Sequence, residues 1–244
     1  RFIVEDQLRE IEVEPEAIIL EPCSRNTGPT VLASVFYLSK SKSDTLLLFM
    51  PTDHLINDDN AFLSCLEKAV SSKTGNKIFS IGVKPTRPET GYGYIEIDKQ
   101  IKSRTGVSKG FIEKPDLSSA REMLSKGNYL WNTGIFIGKA SLIEEYFSEF
   151  APYLLENVYL AIEKKISDLN FQKLDKIHWS NCQAISVDYA IMEKINQLNV
   201  IEFPAEWNDM GNWEAVWREG DKDQKNCLIK GSVTVEDCKN SLFV

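Results

Sequence analysis

Over the first 85 positions the spacing of apolar residues changes repeatedly, and each change marks an element. Phe2, Ile3, Leu8 and Ile11 recur at helical intervals and predict a first helix with no upstream cap. Residues 16–21 predict a strand, and Pro22 to Asn26 a polar turn. A helix is expected from about Thr27, with Pro29 in its first turn and Val31, Leu32, Val35 and Leu38 on one face. Leu46 to Met50 form a continuous apolar run closed by Pro51, which predicts a strand covered on both faces. Asp53 would then emerge at the C-terminal end of a central strand. Asp59 is the expected cap of a helix carrying Phe62, Cys65, Leu66, Ala69 and Val70, and residues 77–83 form the next strand. Helix and strand alternate, as in a doubly wound parallel sheet, where ligands bind beyond the carboxyl ends of the strands.

After residue 85 the rhythm differs. Pro85, Pro88, Gly91 and Gly93 punctuate a loop, and Tyr94–Ile97 alternates as a half-exposed strand. Val107–Ile112 predicts a strand ending at Glu113-Lys114-Pro115, and a polar helix follows from about Leu117 to Ser125. Residues 129–137 read as a strand interrupted at Asn132-Thr133-Gly134. Residues 139–175 read as helical, with a Leu154, Leu155, Val158 and Ile162 stripe. Ser186 is positioned to cap a helix through Ile195, and Val200–Phe203 is the last strand of this unit. From Cys227 the pattern turns to a small β element. The expectation is an α/β fold with a mixed, mostly parallel sheet flanked by helices, over residues 1–225, and a C-terminal β element starting within 226–244.

Composition narrows the function. The 244 residues carry a formal charge of −8, which argues against a nucleic-acid surface but not against a mononucleotide held by a few local cations. No apolar stretch approaches membrane-span length and no signal-peptide pattern opens the chain, so a cytoplasmic protein that does not bind membranes is expected. Five scattered cysteines without a C-x-x-C pair predict free thiols rather than disulfides or a zinc site. His54 and His178 lack metal-ligand spacing.

Several polar residues stand at predicted strand ends, each with a plain structural alternative. Asp53 and Asp209 could cap or turn, or together hold magnesium, which favours one or two carboxylates plus phosphate oxygens. Lys114 is either a solvated turn lysine or a point charge for a phosphate. The Pro- and Gly-rich loop around Arg87 is either a β connection or a place where backbone amides approach a ligand. Arg25 and Asn26 could offer donors to a purine edge, with Asn26 equally suited to an N-cap. Asp188 and Glu193 read as helix-start and surface charge.

Seven stretches in order resemble bacterial mannose-1-phosphate guanylyltransferases. They are Glu-Pro-x-x-Arg-Asn-Thr at 21–27, Met-Pro-Thr-Asp-His at 50–54, and Pro-Thr-Arg-Pro-Glu-Thr-Gly-Tyr-Gly-Tyr-Ile at 85–95. Phe-x-Glu-Lys-Pro-Asp at 111–116, Trp-Asn-Thr-Gly at 131–134, Ser-x-Asp-Tyr-Ala-x-Met-Glu at 186–193, and Trp-x-Asp-Met-Gly-Asn-Trp at 207–213 complete the set. The resemblance implies a nucleotide-diphospho-sugar transferase fold and GMP transfer from GTP to mannose 1-phosphate. It further implies Mg2+ on Asp53 and Asp209, and Lys114 at the sugar phosphate. Gly93, Glu113, Asn132 and Asp188 would line the mannose pocket, with Glu21, Arg25 and Asn26 near guanine and ribose. The family's glycine-rich loop, G-G-x-G-x-R-L-x-P-L-S-R, is missing from this sequence, so an N-terminally incomplete catalytic domain is expected. Another sugar-1-phosphate nucleotidyltransferase and a non-catalytic sugar-nucleotide sensor are the alternatives. A homo-oligomer is left open.

Overall fold

The computed structural model describes residues 1–39, 45–72, 77–98, 104–196 and 198–244. In chain order the first elements are α1 (Phe2–Glu10), β1 (Ile18–Leu20), α2 (Thr27–Ser39), β2 (Leu46–Phe49), β3 (Leu55–Ile56), α3 (Asp59–Ser71), β4 (Phe79–Val83), β5 (Tyr94–Ile97) and β6 (Thr105–Ile112). Then follow α4 (Leu117–Lys126), β7 (Tyr129–Lys139), α5 (Ala140–Phe150), α6 (Leu155–Glu163), β8 (Ile166–Asp168), β9 (Phe171–Lys173), α7 (Lys176–Asn181) and α8 (Val187–Ala190). The last are β10 (Asn199–Phe203), β11 (Trp207–Asn208), α9 (Trp213–Glu219), β12 (Leu228–Ile229) and β13 (Leu242–Phe243).

A six-stranded mixed sheet in the order β2-β7-β4-β10-β6-β5 is the scaffold, and β5 also pairs with the start of β7. Strands β2, β4, β10 and β5 run one way, and β7 and β6 the other. Most strands therefore share a direction, yet β4–β10 is the one parallel ladder of this sheet among the described residues. Side chains alternate across it as the pleat demands. On β7, Phe136 faces a core with Leu32, Phe36, Ile143 and Phe147 from α2 and α5. Its neighbours Ile135 and Ile137 face a second core with Cys65 and Ala69 of α3 and Met123 of α4. Helices therefore cover both faces, which is the mixed α/β arrangement expected.

Several local expectations are corrected. The Leu46–Met50 run is not covered on both faces: Leu47 is buried, while Leu46 and Leu48 are 43% and 40% exposed. The reason is topological, because β2 is an end strand whose ladder partner is β7. Asp53 accordingly follows an end strand, not a central one. Strand β1 does not join the main sheet but pairs in parallel with β9, so the alternation of the first 85 residues is not a doubly wound parallel sheet. Helix does not continue to residue 175, since β8 and β9 form a hairpin through Leu169, whose φ is +55°. There, pairing of β9 with β1 and of β8 with β9 overrides local periodicity. Asp58 rather than Asp59 caps α3, its carboxylate accepting from the Ala61 N–H at 2.9 Å. Finally, β5 is not half-exposed: Tyr94 and Ile95 are fully buried because it lies between β6 and β7.

At the C-terminal end, β12 and β13 pair in parallel, and Leu228 packs so closely against Gly220 that a methyl group there would collide with it.

Candidate active site

A bulge in β7 builds one wall of the site. The β4–β7 register slips between Ser80 and Gly82, accommodating extra residues at the Asn132-Thr133-Gly134 interruption, with Gly134 at φ +71°. Bulges re-aim side chains. Here Asn132 Oδ1 accepts from Ser80 Oγ and from the Gly134 N–H, both at 3.2 Å. Its Nδ2 donates to Asp188 Oδ1 at 2.8 Å. Both ends of the amide are thereby fixed.

Asp188 is carried by α8, which docks against the start of α2. Thr27 Oγ1 accepts from the Val187 N–H at 2.9 Å and the Gly28 N–H donates to Ile185 O at 2.9 Å, docking the two segments. Ser186 caps α8 by accepting from the Tyr189 N–H. Burial, reinforced by the Glu113 carboxylate, pushes Asp188 up to about 6, against the opposing effects of Asn132 and Lys114. Two acidic groups kept close at some electrostatic cost are common at functional sites.

Glu113 and Lys114 form the adjoining edge. The Glu113 N–H donates to Glu193 Oε1 at 2.9 Å, and the Lys114 N–H donates to Tyr92 O at 3.3 Å. Lys114 adopts φ +48°, a left-handed conformation uncommon for a side-chain-bearing residue, and its Nζ contacts Glu113 Oε1 at 2.6 Å. That hydrogen bond outweighs desolvation and holds the ammonium above its ordinary pKa. Gly93 is required by space: a Cβ there would fall 2.4 Å from Glu113 Oε2 and 3.3 Å from Asn132 Cβ.

A short ladder brings the segments carrying the two aspartates to one end, where Asp209 lines the cavity and Asp53 lies outside its lining. Strand β3 pairs antiparallel with β11, with Leu55 opposite Asn208. Asp53 and His54 precede β3 and Asp209 follows β11, so in this antiparallel ladder residues over 150 positions apart in sequence reach the same end. Trp207 Nε1 donates to His54 Nδ1 at 3.3 Å, which leaves the ring proton on Nε2. Burial lowers the His54 pKa, while Asp53 and Asp209, both within electrostatic reach, oppose that shift. Asp209 Oδ1 accepts from Tyr92 Oη at 2.8 Å and from the Gly211 N–H at 3.1 Å. Among the described residues no donor is bonded to its Oδ2, nor to the exposed Asp53 carboxylate.

Tyr92, Gly93, Glu113, Asn132, Asp188 and Asp209 all line a cavity of about 370 Å³, with Thr27 and Thr30 on the α2 side. Lys114 sits at its edge through Glu113. Glu21, Arg25 and Asn26 gather beside α2 instead. Glu21 accepts from Thr30 Oγ1, and burial raises its pKa against that bond. Arg25 donates to the carbonyls of Trp179 and Ser180. Asn26, at φ +63°, accepts from the Thr27 N–H at 2.8 Å. This trio is thus occupied by the protein's own polar groups.

Three residues gain a place that their sequence context does not signal. Glu193, expected as surface charge, anchors the Glu113 backbone. His54 accepts from Trp207 Nε1 and lies within electrostatic reach of both aspartates. Tyr92 touches both Asp209 and Lys114, and its position between Gly91 and Gly93 is the available clue. Arg87 stacks behind it, 4.9 Å from the Trp131 ring centroid and ion-paired with Glu89.

The donor set fits a hard cation. Two carboxylates with free oxygens and no thiolate are what Mg2+ uses when substrate phosphates and water complete its shell. Among the described residues no cluster of three or more His, Cys, Asp or Glu could hold a metal unaided. Among them, too, no helix is long and apolar enough to cross a membrane.

Comparison with known proteins places the fold in context. The sequence model described as Nucleotidyl transferase matches residues 1–226. Xanthan biosynthesis protein XanB of Xanthomonas campestris pv. campestris is 37% identical over 241 residues, covering 99% of this chain and 51% of that protein. The mannose-1-phosphate guanylyltransferase of Sinorhizobium fredii is 37% identical over 245 residues, covering 100% and 48%. The chain thus spans about half the length of these relatives. A Thermus thermophilus structure described as mannose-1-phosphate geranyltransferase superposes with a TM-score of 0.76 at 27% identity, covering 95% of this chain and 73% of that one. A Helicobacter pylori structure described as mannose-6-phosphate isomerase gives 0.75 at 26%, covering 85% and 80%. Those two carry different activity names on one fold, so a specific reaction must be argued from the site. With 226 of its residues matched, this chain belongs to the nucleotidyl transferase family.

Proposed function

We propose that the protein transfers GMP from GTP to mannose 1-phosphate, releasing pyrophosphate and forming GDP-mannose. The observation that carries the reading is the meeting, on one cavity, of a carboxylate with a free oxygen, Asp209, and a dense acidic and amide wall of Asn132, Asp188 and Glu113. The first end suits a metal-bound triphosphate, and the second suits the hydroxyls of a sugar. The guanylyltransferase from Sinorhizobium fredii, alike over the whole of this chain, supports the choice of base and hexose.

In this reading a phosphate oxygen of mannose 1-phosphate attacks the α-phosphorus of GTP, and the bond to the β-phosphate oxygen breaks in line. The attacking phosphate is ionised at neutral pH, so no side chain needs to remove a proton. Asp53 and Asp209 would hold Mg2+, which when bound supplies charge neutralisation along the triphosphate. Lys114, standing at the end of β6 on a fixed turn, neutralises the sugar phosphate as a point charge. Asn132, whose amide is locked, and Asp188 orient the hexose hydroxyls and hold the phosphate in line.

The test is pyrophosphate release from GTP, ATP, UTP and dTTP against several hexose 1-phosphates. The GTP and mannose 1-phosphate pair is expected to be fastest by at least tenfold. A faster rate with another base or hexose overturns the assignment. Asp53→Asn and Asp209→Asn are expected to abolish magnesium-dependent turnover with little loss of stability, and retained activity in both would remove the metal assignment.

A further inference from the structure

We infer that Tyr92 is a positioning residue that ties the cation-binding arm of the site to its phosphate-binding arm. The inference rests on the metal reading of Asp53 and Asp209 given above. One residue touches both arms by different groups. Its side-chain hydroxyl donates to Asp209 Oδ1 at 2.8 Å, and its backbone carbonyl accepts from the Lys114 N–H at 3.3 Å. The next residue continues the tie, since Gly93 O accepts from the Asn132 N–H at 2.8 Å.

The geometry at Asp209 says what the hydroxyl does. The carboxylate projects beside Met210, whose φ is +51°, and so sits on an irregular turn rather than on a strand. Two donors, Tyr92 Oη and the Gly211 N–H, both bind Oδ1. With Oδ1 held from two directions the carboxyl plane is set, and Oδ2 is presented for a cation. Hydrogen bonds to a metal-ligating carboxylate commonly govern metal affinity in this way.

The ring is held too tightly to wander. Tyr92 is 8% exposed and lies edge-on against Trp131 and Trp207, with both ring centroids 5.2 Å away. Trp207 belongs to β11, which carries Asp209 at its end. Trp131 belongs to β7, which carries Asn132. The Arg87 guanidinium lies 5.9 Å from the ring centroid. The aromatic cage therefore fixes the hydroxyl relative to both strands.

Tyr92→Phe keeps the ring, its aromatic contacts and its backbone carbonyl, and removes only the donor. The experiment is a Mn2+ titration followed by electron paramagnetic resonance, on the protein as encoded, with the non-cleavable α,β-methylene analogue of GTP. Asp209→Asn is run beside it, and KM for mannose 1-phosphate is measured at saturating metal. Tyr92→Phe is expected to bind Mn2+ about tenfold more weakly, while KM for the sugar phosphate stays within about twofold because the Lys114 contact is backbone-borne. Asp209→Asn is expected to lose the site. If Asp209→Asn loses affinity and Tyr92→Phe keeps it, the inference falls alone. If Asp209→Asn keeps full affinity, the metal reading falls and takes the inference with it. If Tyr92→Phe melts or misfolds instead of binding metal weakly, the hydroxyl is a stability element and the inference is overturned.

Discussion

Asn132 Nδ2 donates to Asp188 Oδ1 at 2.8 Å, joining a bulged strand to a four-residue helix more than fifty positions later. That contact holds a carboxylate against the nearby Glu113 charge in a buried setting, and the consequence is measurable. Asp188 has its pKa pushed from 3.8 to about 6. A group raised in the folded state binds protons more readily there, so its contribution to stability is fullest below the unfolded value and is lost as pH rises through about 6. Asp188→Asn removes the charge and keeps an acceptor for Asn132. We expect the variant to be more stable than the parent by roughly 1–3 kcal/mol at pH 7–8, with the gap closing below about pH 4. Denaturant unfolding across that range checks it. Activity should fall at least tenfold, since the proposed hydroxyl acceptor is gone.

Gly93→Ala tests how closely the wall is built. The new methyl group would meet Glu113 Oε2, Phe111 and Asn132 at 2.4, 3.2 and 3.3 Å. The Glu113 carboxylate can swing aside, but doing so disturbs its contact with Lys114. The expected cost is about 1–3 kcal/mol of stability with the fold retained. The expected functional signature is a raised KM for the sugar phosphate, read from initial-rate kinetics.

Glu193 offers a test away from any substrate. Its carboxylate accepts the Glu113 N–H at 2.9 Å, and truncation leaves that amide without its partner. Glu193→Ala should cost about 1–3 kcal/mol and reduce kcat/KM, whereas Glu193→Gln, which keeps an acceptor, should recover most of both. Thermal melts and kinetics on the pair settle it. Equal loss in the two variants would assign the role to charge.

Much of this is legible in the sequence, and the misses share a cause. The helices and most strands announce themselves by period, and the capping role of Ser186 is local chemistry. Strand β2 misleads because an unbroken apolar run reveals hydrophobicity, not neighbours: Leu46 and Leu48 are exposed since β7 alone flanks β2 among the described residues. Strand β9 is hidden because one of its pairing partners, β1, lies about 150 positions away, and β8 joins the sheet only through β9. The site divides the same way. Asp53, Lys114 and Asp209 stand at element ends, where the pattern already draws attention. Tyr92 and Glu193 act through a hydroxyl and a backbone contact to distant residues, which spacing cannot encode.

In the proposed reaction Asp53 and Asp209, delivered to the same end of the β3–β11 ladder, share one divalent cation with a nucleotide. The most direct measurement is a crystal structure of the protein with Mn2+ and the α,β-methylene analogue of GTP, with the cation located by anomalous scattering. A single peak roughly 2.0–2.3 Å from a carboxylate oxygen of each aspartate and from a phosphate oxygen is the predicted result. A peak bound by the nucleotide alone, or by carboxylates elsewhere in the chain, would contradict it.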